Sequence, residues 1–232
     1  KYGAKSVTIG YRHNPMGFKW PKGMKEVFYL DKLEGNKAIF KDGHEQETDV
    51  VILCTGYLHH FPFLSEDLKL KTGNRLYPPM LYKGVVWQDN HNLFYLGMQD
   101  QFHTFNMFDC QAWYARDVIM GKIKLPSDKE IDQDIKKWVA MEEKLENPDQ
   151  MIDFQTEYTK ELHEMSDYPK IDFELIRKHF KEWEHHKVED ILTYRNKSFS
   201  SPVTGSVAPI HHTPWDKAMD DSMKSFLDQP EK

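Results

Sequence analysis

The sequence predicts an α/β protein with a parallel sheet and a helical appendage, and three patterns carry that prediction. The apolar run Val50-Val51-Ile52-Leu53 runs into Cys54-Thr55-Gly56-Tyr57. Four aliphatics rich in β-branched residues are too few for a helix and suit a central parallel strand covered on both faces. Gly3-Ala4-Lys5 followed by Ser6 to Tyr11 has the form of a helix end, a short loop and a second strand. From Pro126 onward the apolar spacing turns helical, with tryptophans punctuating acidic stretches.

In chain order, residues 1 to 5 read as a helix end and Ser6 to Tyr11 as a strand that expects earlier strands beside it, so the chain is expected to begin in mid-domain. Asn14 to Pro21 carries Pro15, Gly17 and Pro21 and predicts an ordered aromatic loop. Ala38-Ile39-Phe40, an Asp42-Gly43 turn and Glu47 to Leu53 predict a hairpin leading into the buried strand. Leu58 to Leu81 reads as loop, and Leu93 to Leu96 as a short strand closed by Gly97. Asn106 is expected to cap a helix from about Met107 to Met120, burying Phe108, Ala112, Ala115 and Ile119.

Ser127 to Glu130 reads as a capping box, with Ile131, Ile135, Trp138 and Met141 on one helical face. Further helices are expected over Phe154 to Met165, Phe173 to His185 and Lys217 to Leu227.

With 232 residues the chain can bury a core. A formal charge of -6 argues against nucleic acid as a partner, because phosphate binding needs a concentrated basic face. No run approaches the roughly 20 apolar residues of a membrane helix, and the first residues do not form a signal peptide. Cys54, on the expected buried strand, and Cys110, in an expected helix, fit small core residues in a reducing compartment.

Ligands of open α/β sheets bind at the carboxyl ends of the strands. Arg12 stands at such an end, where an NAD-binding unit places an acidic residue, so a guanidinium there favours the 2'-phosphate of NADPH, with His13 beside it. A solvated surface arginine is the competing reading. Gly97 to Thr104 lies between a strand and a helix start, and free N–H groups there suit a phosphate or an electron-rich ring edge. Gln101 and Thr104 can bond such a group directly, while capping of the helix by Asp100 and Thr104 is the plainer alternative.

The pairs His59-His60, His185-His186 and His211-His212 are not expected to hold a metal, since vicinal side chains diverge. Trp183 and Arg195 lie in the appendage, where a ring and a cation could cover a dinucleotide; a core tryptophan and a surface arginine are the default.

With those residues in place, the chain resembles the carboxyl-terminal half of the flavin-containing monooxygenases, most closely the soluble bacterial members that act on trimethylamine. The likeness runs through Tyr11 to Pro21, Ile52 to Leu64, Leu81 to Trp87, Gly97 to Gln101, Phe105 to Asp109, Gln111 to Gly121, Glu182-Trp183, His185 to Lys187 and His211 to Trp215. It implies a Rossmann-like flavoprotein with two dinucleotide-binding domains, an FAD domain carrying an inserted NADPH domain. Residues 1–50 would close the NADPH domain, 51–125 the FAD domain, and 126–232 would form the appendage.

The resemblance further implies FAD and NADPH as cofactors, O2 and a small tertiary amine as substrates, and N-oxide formation through a C4a-hydroperoxyflavin. It assigns Gln101 and Thr104 to FAD, Arg12 and His13 to the NADP phosphate end, Trp183 and Arg195 to the cofactors, and Asp100 to organising water or substrate. A homodimer in the cytoplasm is expected, as is a second portion of the enzyme, because the glycine-rich fingerprints are absent from this text. Phe102 stands where a tryptophan is expected. Other class B flavin monooxygenases, Baeyer–Villiger or N-hydroxylating, and a non-catalytic binding piece are the alternatives.

Overall fold

The computed structural model describes residues 4–207. The expected helix at Lys217 to Leu227 and the pair His211-His212 lie outside them. Strand β1 (Val7–Tyr11) forms where expected and pairs in parallel with β2 (Met24–Phe28), Val7 against Met24 through Tyr11 against Phe28. The loop between them carries the breakers Pro15, Gly17 and Pro21. Ala4 and Lys5, expected to end a helix, are not helical.

Next, β3 (Leu30–Glu34), β4 (Lys37–Phe40) and β5 (Glu45–Glu47) form an antiparallel meander. The Asp42-Gly43 turn is present, with Gly43 at a φ of 83° and the Phe40 N–H donating to the His44 carbonyl at 2.9 Å. Val27, Ala38 and Phe40 make a small apolar core beneath these strands.

The strand expected at residues 50–53 does not form. Val50, Ile52 and Leu53 are 74%, 79% and 75% exposed, Tyr57 is fully exposed, and Cys54, expected inside, is also exposed. The residues have the composition of a buried parallel strand, but such a strand exists only as part of a ladder covered on both faces. No described residue pairs with this segment.

A second body of the fold is built on α1 (Thr104–Ile119), α2 (Asp128–Glu142), α3 (Pro148–Glu164) and α4 (Phe173–Glu189) with a two-stranded ribbon, β6 (Leu81–Tyr82) and β7 (Val86–Trp87). The strand expected at Leu93 to Leu96 reduces to a bridge from Phe94 to Val86, extended by the Tyr95 N–H donating to the Val85 carbonyl at 2.8 Å. Cluster residues Tyr77, Val85, Met107, Tyr114, Trp138 and Tyr158 share one core, with Trp138 stacked on Tyr77 at 5.7 Å.

The helices begin where local chemistry satisfies their first N–H groups. Glu130 accepts the Ser127 N–H at 2.9 Å and its hydroxyl at 2.6 Å, as the capping box predicts. Asn147 caps α3 with Pro148 in its first turn, so that helix starts earlier than Phe154. Asp172 caps α4 through the Leu175 N–H at 3.0 Å.

The register of α1 differs from expectation. Asn106 lies inside the helix, which starts at Thr104, and Ala112 and Ile119 are exposed. The buried residues are Met107, Cys110, Gln111, Tyr114, Asp117 and Ala115, the last being the one of the four expected residues that is buried. Gln111 can enter the core because its amide is fully used: it donates to Gln99 and to the Tyr158 hydroxyl at 2.9 Å each, and accepts the Gly97 N–H at 2.8 Å. Counting glutamine as a surface residue rotates the stripe by one position. Met141, expected on the buried face of α2, is likewise exposed.

Candidate functional site

The loop from Gly97 to His103 leads into α1 and carries the candidates Asp100 and Gln101, with Thr104 opening the helix. Gly97 sits at a φ of 72°, and a Cβ there would lie 3.0 Å from the Phe108 ring, so only glycine fits this entry to the loop. Asp100 is exposed; its N–H donates to the Arg75 carbonyl at 2.7 Å and its carboxylate accepts the Gln101 N–H at 2.9 Å. Gln101 and Thr104 are half-buried, and their side chains make no hydrogen bond among the described residues. Thr104 is the first helical residue, and neither it nor Asp100 caps α1, whose start has no side-chain cap.

The rest of the loop is held from behind. Gln155, fully buried on α3, accepts the N–H groups of Phe102 and His103 and donates to the Asp100 carbonyl. His103 is buried and its Nε2 lies 2.9 Å from the Thr156 hydroxyl. That hydroxyl already donates to the Ile152 carbonyl at 2.7 Å, so His103 must be the donor and carries its proton on Nε2. Burial, aided by the Arg177 charge, lowers its pKa to about 4, and the ring is neutral near pH 7. Phe180 of α4 covers the ring at 4.8 Å and meets Phe102 edge-on at 6.4 Å.

Trp183 lies one turn beyond Phe180 on the same helix. Its half-buried ring meets Tyr194 at 5.1 Å, and Lys187 Nζ sits 5.1 Å over it. Arg195, exposed, follows in the 3-10 turn Tyr194–Asn196 and lies 5.0 Å over the Tyr194 ring. Trp183 and Arg195 are therefore joined through Tyr194, a buried residue the sequence reading did not single out. Arg12 and His13 stand exposed just past β1, and among the described residues neither makes an ion pair or a side-chain hydrogen bond. No such bond links them to the Asp100 loop either.

Two open depressions, about 630 Å³ beside Gln88, His91 and Asp128 and about 490 Å³ beside Asn147, His185 and Val188, are lined by none of the candidate residues. The donor set of the loop fits one edge of a flavin: an uncapped helix start offers N–H groups and a positive dipole end, flanked by an unengaged amide and hydroxyl. Among the described residues, no helix is long and apolar enough to cross a membrane.

Comparisons with known proteins bear on the family and the fold. The model of the family described as flavin-binding monooxygenase-like matches residues 24–185. The chain is 89% identical over 229 residues to the trimethylamine monooxygenase of Pelagibacter sp. (strain HTCC7211), covering 99% of this chain and 52% of the relative. The crystal structure of Tmm from Pelagibacter sp. strain HTCC7211 superposes with a TM-score of 0.89, covering 97% of this chain and 51% of that one. An S-allyl-L-cysteine S-oxygenase from Allium sativum, 25% identical, superposes with a TM-score of 0.63 over 83% of this chain and 46% of its own. The chain spans about half the length of the curated relatives it matches.

Proposed function

Because the chain belongs to the flavin-binding monooxygenase-like family, we propose that it forms part of an NADPH- and O2-dependent monooxygenase that oxygenates the nitrogen of small tertiary amines such as trimethylamine. The observation that carries this reading is 89% identity, across nearly the whole chain, to a relative bearing the name trimethylamine monooxygenase. Residues 1–50 close an NADPH-binding domain, 51–125 contribute to a doubly wound FAD domain, and 126–232 pack on it. The partner is a further polypeptide portion carrying the phosphate-binding fingerprints. Its strands flank residues 50–58, whose exposed aliphatics then become interior. The assembled enzyme is a cytoplasmic homodimer.

Bound FAD would take up the reducing equivalents of NADPH and supply the site of oxygen activation. The first turn of α1, with Gln101 and Thr104, binds the polar edge of the flavin. Asp100, exposed on the loop, orients water by accepting a hydrogen bond, or holds the ammonium form of the amine before it gives up its proton. Arg12 and His13 hold the 2'-phosphate of NADPH, and Trp183 with Arg195 closes over the cofactors from α4 and excludes water. The amine must be unprotonated to use its lone pair, so turnover rises on the alkaline side of neutrality.

The test is a fusion of this chain to the remaining portion of the Pelagibacter sp. relative. The purified fusion is expected to show flavin absorption and to oxidise NADPH faster when trimethylamine is added; a colourless, inactive fusion overturns the reading and favours a non-catalytic binding piece. In the active fusion, Arg12→Ala is expected to lower the NADPH-to-NADH efficiency ratio about tenfold or more, the worth of a charge-assisted bond. An unchanged ratio removes Arg12 from the phosphate site. Likeness to the Allium sativum S-oxygenase favours a second reading, oxygenation of a thioether sulfur. Turnover of a thioether but not of trimethylamine would select it.

A further inference from the structure

We propose that Gln155 is a positioning residue of the site: its one side-chain amide sets the backbone of the loop that presents Asp100, Gln101 and Thr104. The catalytic consequence rests on the function proposed above, whereas the clamp itself is a property of the chain. Gln155 Oε1 accepts the Phe102 N–H at 2.5 Å and the His103 N–H at 2.9 Å, and Nε2 donates to the Asp100 carbonyl at 2.7 Å. Three backbone groups within four residues thus converge on one side chain contributed by a helix more than 50 residues away.

The chemistry selects glutamine. Two N–H donors must meet an acceptor and one carbonyl must meet a donor, and among side chains of this reach only a primary amide offers both. The amide cannot be flipped, since its NH2 would then face two N–H groups. Glutamate would keep the two acceptor bonds and set an oxygen against the Asp100 carbonyl. Methionine would fill the space and bond none of them.

The loop has no sheet ladder to fix it: besides the bonds to Gln155, its Gly97 N–H donates to Gln111, its Asp100 N–H to the Arg75 carbonyl and its Gln101 N–H to the Asp100 carboxylate, and its His103 carbonyl accepts the Met107 N–H. Gln155 is fully buried, and its own carbonyl is engaged by the Thr159 hydroxyl at 2.8 Å, so the clamp is itself held. The next residue, Thr156, receives His103, and Phe180 closes over that ring. Through this arrangement α3 fixes the angle at which α1 begins and the place where Gln101 and Thr104 project. Residues that dictate the loop touch no reacting atom, so their effect is read in geometry.

Hydrogen exchange and kinetics on the fusion enzyme test this in Gln155→Met and Gln155→Glu. In Gln155→Met, exchange at the Phe102 and His103 amides is expected to rise roughly tenfold or more while amides at the far end of α3 keep their protection. For trimethylamine, kcat/KM is expected to fall on the order of tenfold to a hundredfold, with the loss mainly in kcat and the flavin still bound. Gln155→Glu keeps both acceptor bonds and falls between, the graded rescue that a cavity or packing defect does not produce.

Unchanged exchange at Phe102 and His103, or equal loss along the whole of α3, overturns the clamp. Altered exchange with unaltered kcat overturns the positioning role. Should Gln155→Met fail to fold, Gln155→Glu decides by the same two measurements. A wild-type fusion without flavin would end the proposed monooxygenase reading, and the exchange measurement would still decide whether Gln155 holds the loop.

Discussion

Lys83→Met is expected to lower the unfolding free energy by about 3–5 kcal/mol, the usual cost of breaking a buried ion pair and leaving its partners charged. Lys83 lies in the turn between β6 and β7, and its side chain is only 7% exposed. Its Nζ donates to Asp134 on α2 at 2.6 Å and to Glu161 on α3, so one ammonium ties the ribbon to two helices. Methionine conserves the volume and leaves the residue's φ of 53° as strained as before, so neither a cavity nor the backbone explains the loss.

Burial opposes the lysine charge, but the hydrogen bonds it donates to Asp134 and Glu161, with their negative charges, outweigh it and hold the pKa above its ordinary 10.5. A raised folded-state pKa contributes stability that is complete below that value and is lost only as the pH climbs past it. The effect should therefore be full at neutrality. Urea unfolding measures it as a lower midpoint at constant slope. Adding Asp134→Asn to Lys83→Met should recover part of the loss, because the stranded charge is then removed. A loss below about 1 kcal/mol, with no recovery in the double variant, would assign the pair no more than the worth of a surface salt bridge.

Features written in short stretches of chain were legible without coordinates. The strand ending at Tyr11, the Asp42-Gly43 turn and the Ser127 capping box each depend on neighbours a few residues away, and each is present. Residues 50–58 show the opposite limit. Their composition describes the surroundings they suit, while the structure they adopt depends on strands that no described residue supplies.

The candidate residues Asp100, Gln101 and Thr104 could be placed on one loop because they are adjacent. Gln155, Lys83 and Tyr194 could not be found, since polar residues at helix-interior or turn positions read as surface until a distant partner is known. Gln111 is the clearest instance: one buried amide shifted the apparent face of α1, leaving only Ala115 buried of the four residues expected. Trp183 and Arg195 were expected near one ligand, and the chain does gather them, but through the intervening Tyr194 ring.

Lowering the pH from 6.5 to 4 should cost the fold up to about 3 kcal/mol through His103 alone. Burial and, secondarily, the Arg177 charge bring its pKa from 6.5 to about 4 in the folded chain. The unfolded chain thus binds a proton below 6.5 that the folded chain refuses until about 4, and stability falls with pH across that window. The reason for the refusal is structural. Nε2 already spends its hydrogen on Thr156, and a second proton would sit on Nδ1, which is buried without a partner.

His103→Gln keeps a donor for Thr156 and has no group that titrates in this range. The stability difference between the parent chain and this variant, measured by urea unfolding at several pH values, should shrink or reverse by that amount on acidification; parallel curves would show that His103 is not the titrating group. Because His103 directly precedes α1 and shares Gln155 with Phe102, acid should first loosen the loop that bears Asp100, Gln101 and Thr104. Protection factors at the Phe102 and His103 amides, corrected for the slower intrinsic exchange in acid, should accordingly fall at pH 5 before those at the far end of α3, and a simultaneous fall would mean that the loop opens only with the whole fold.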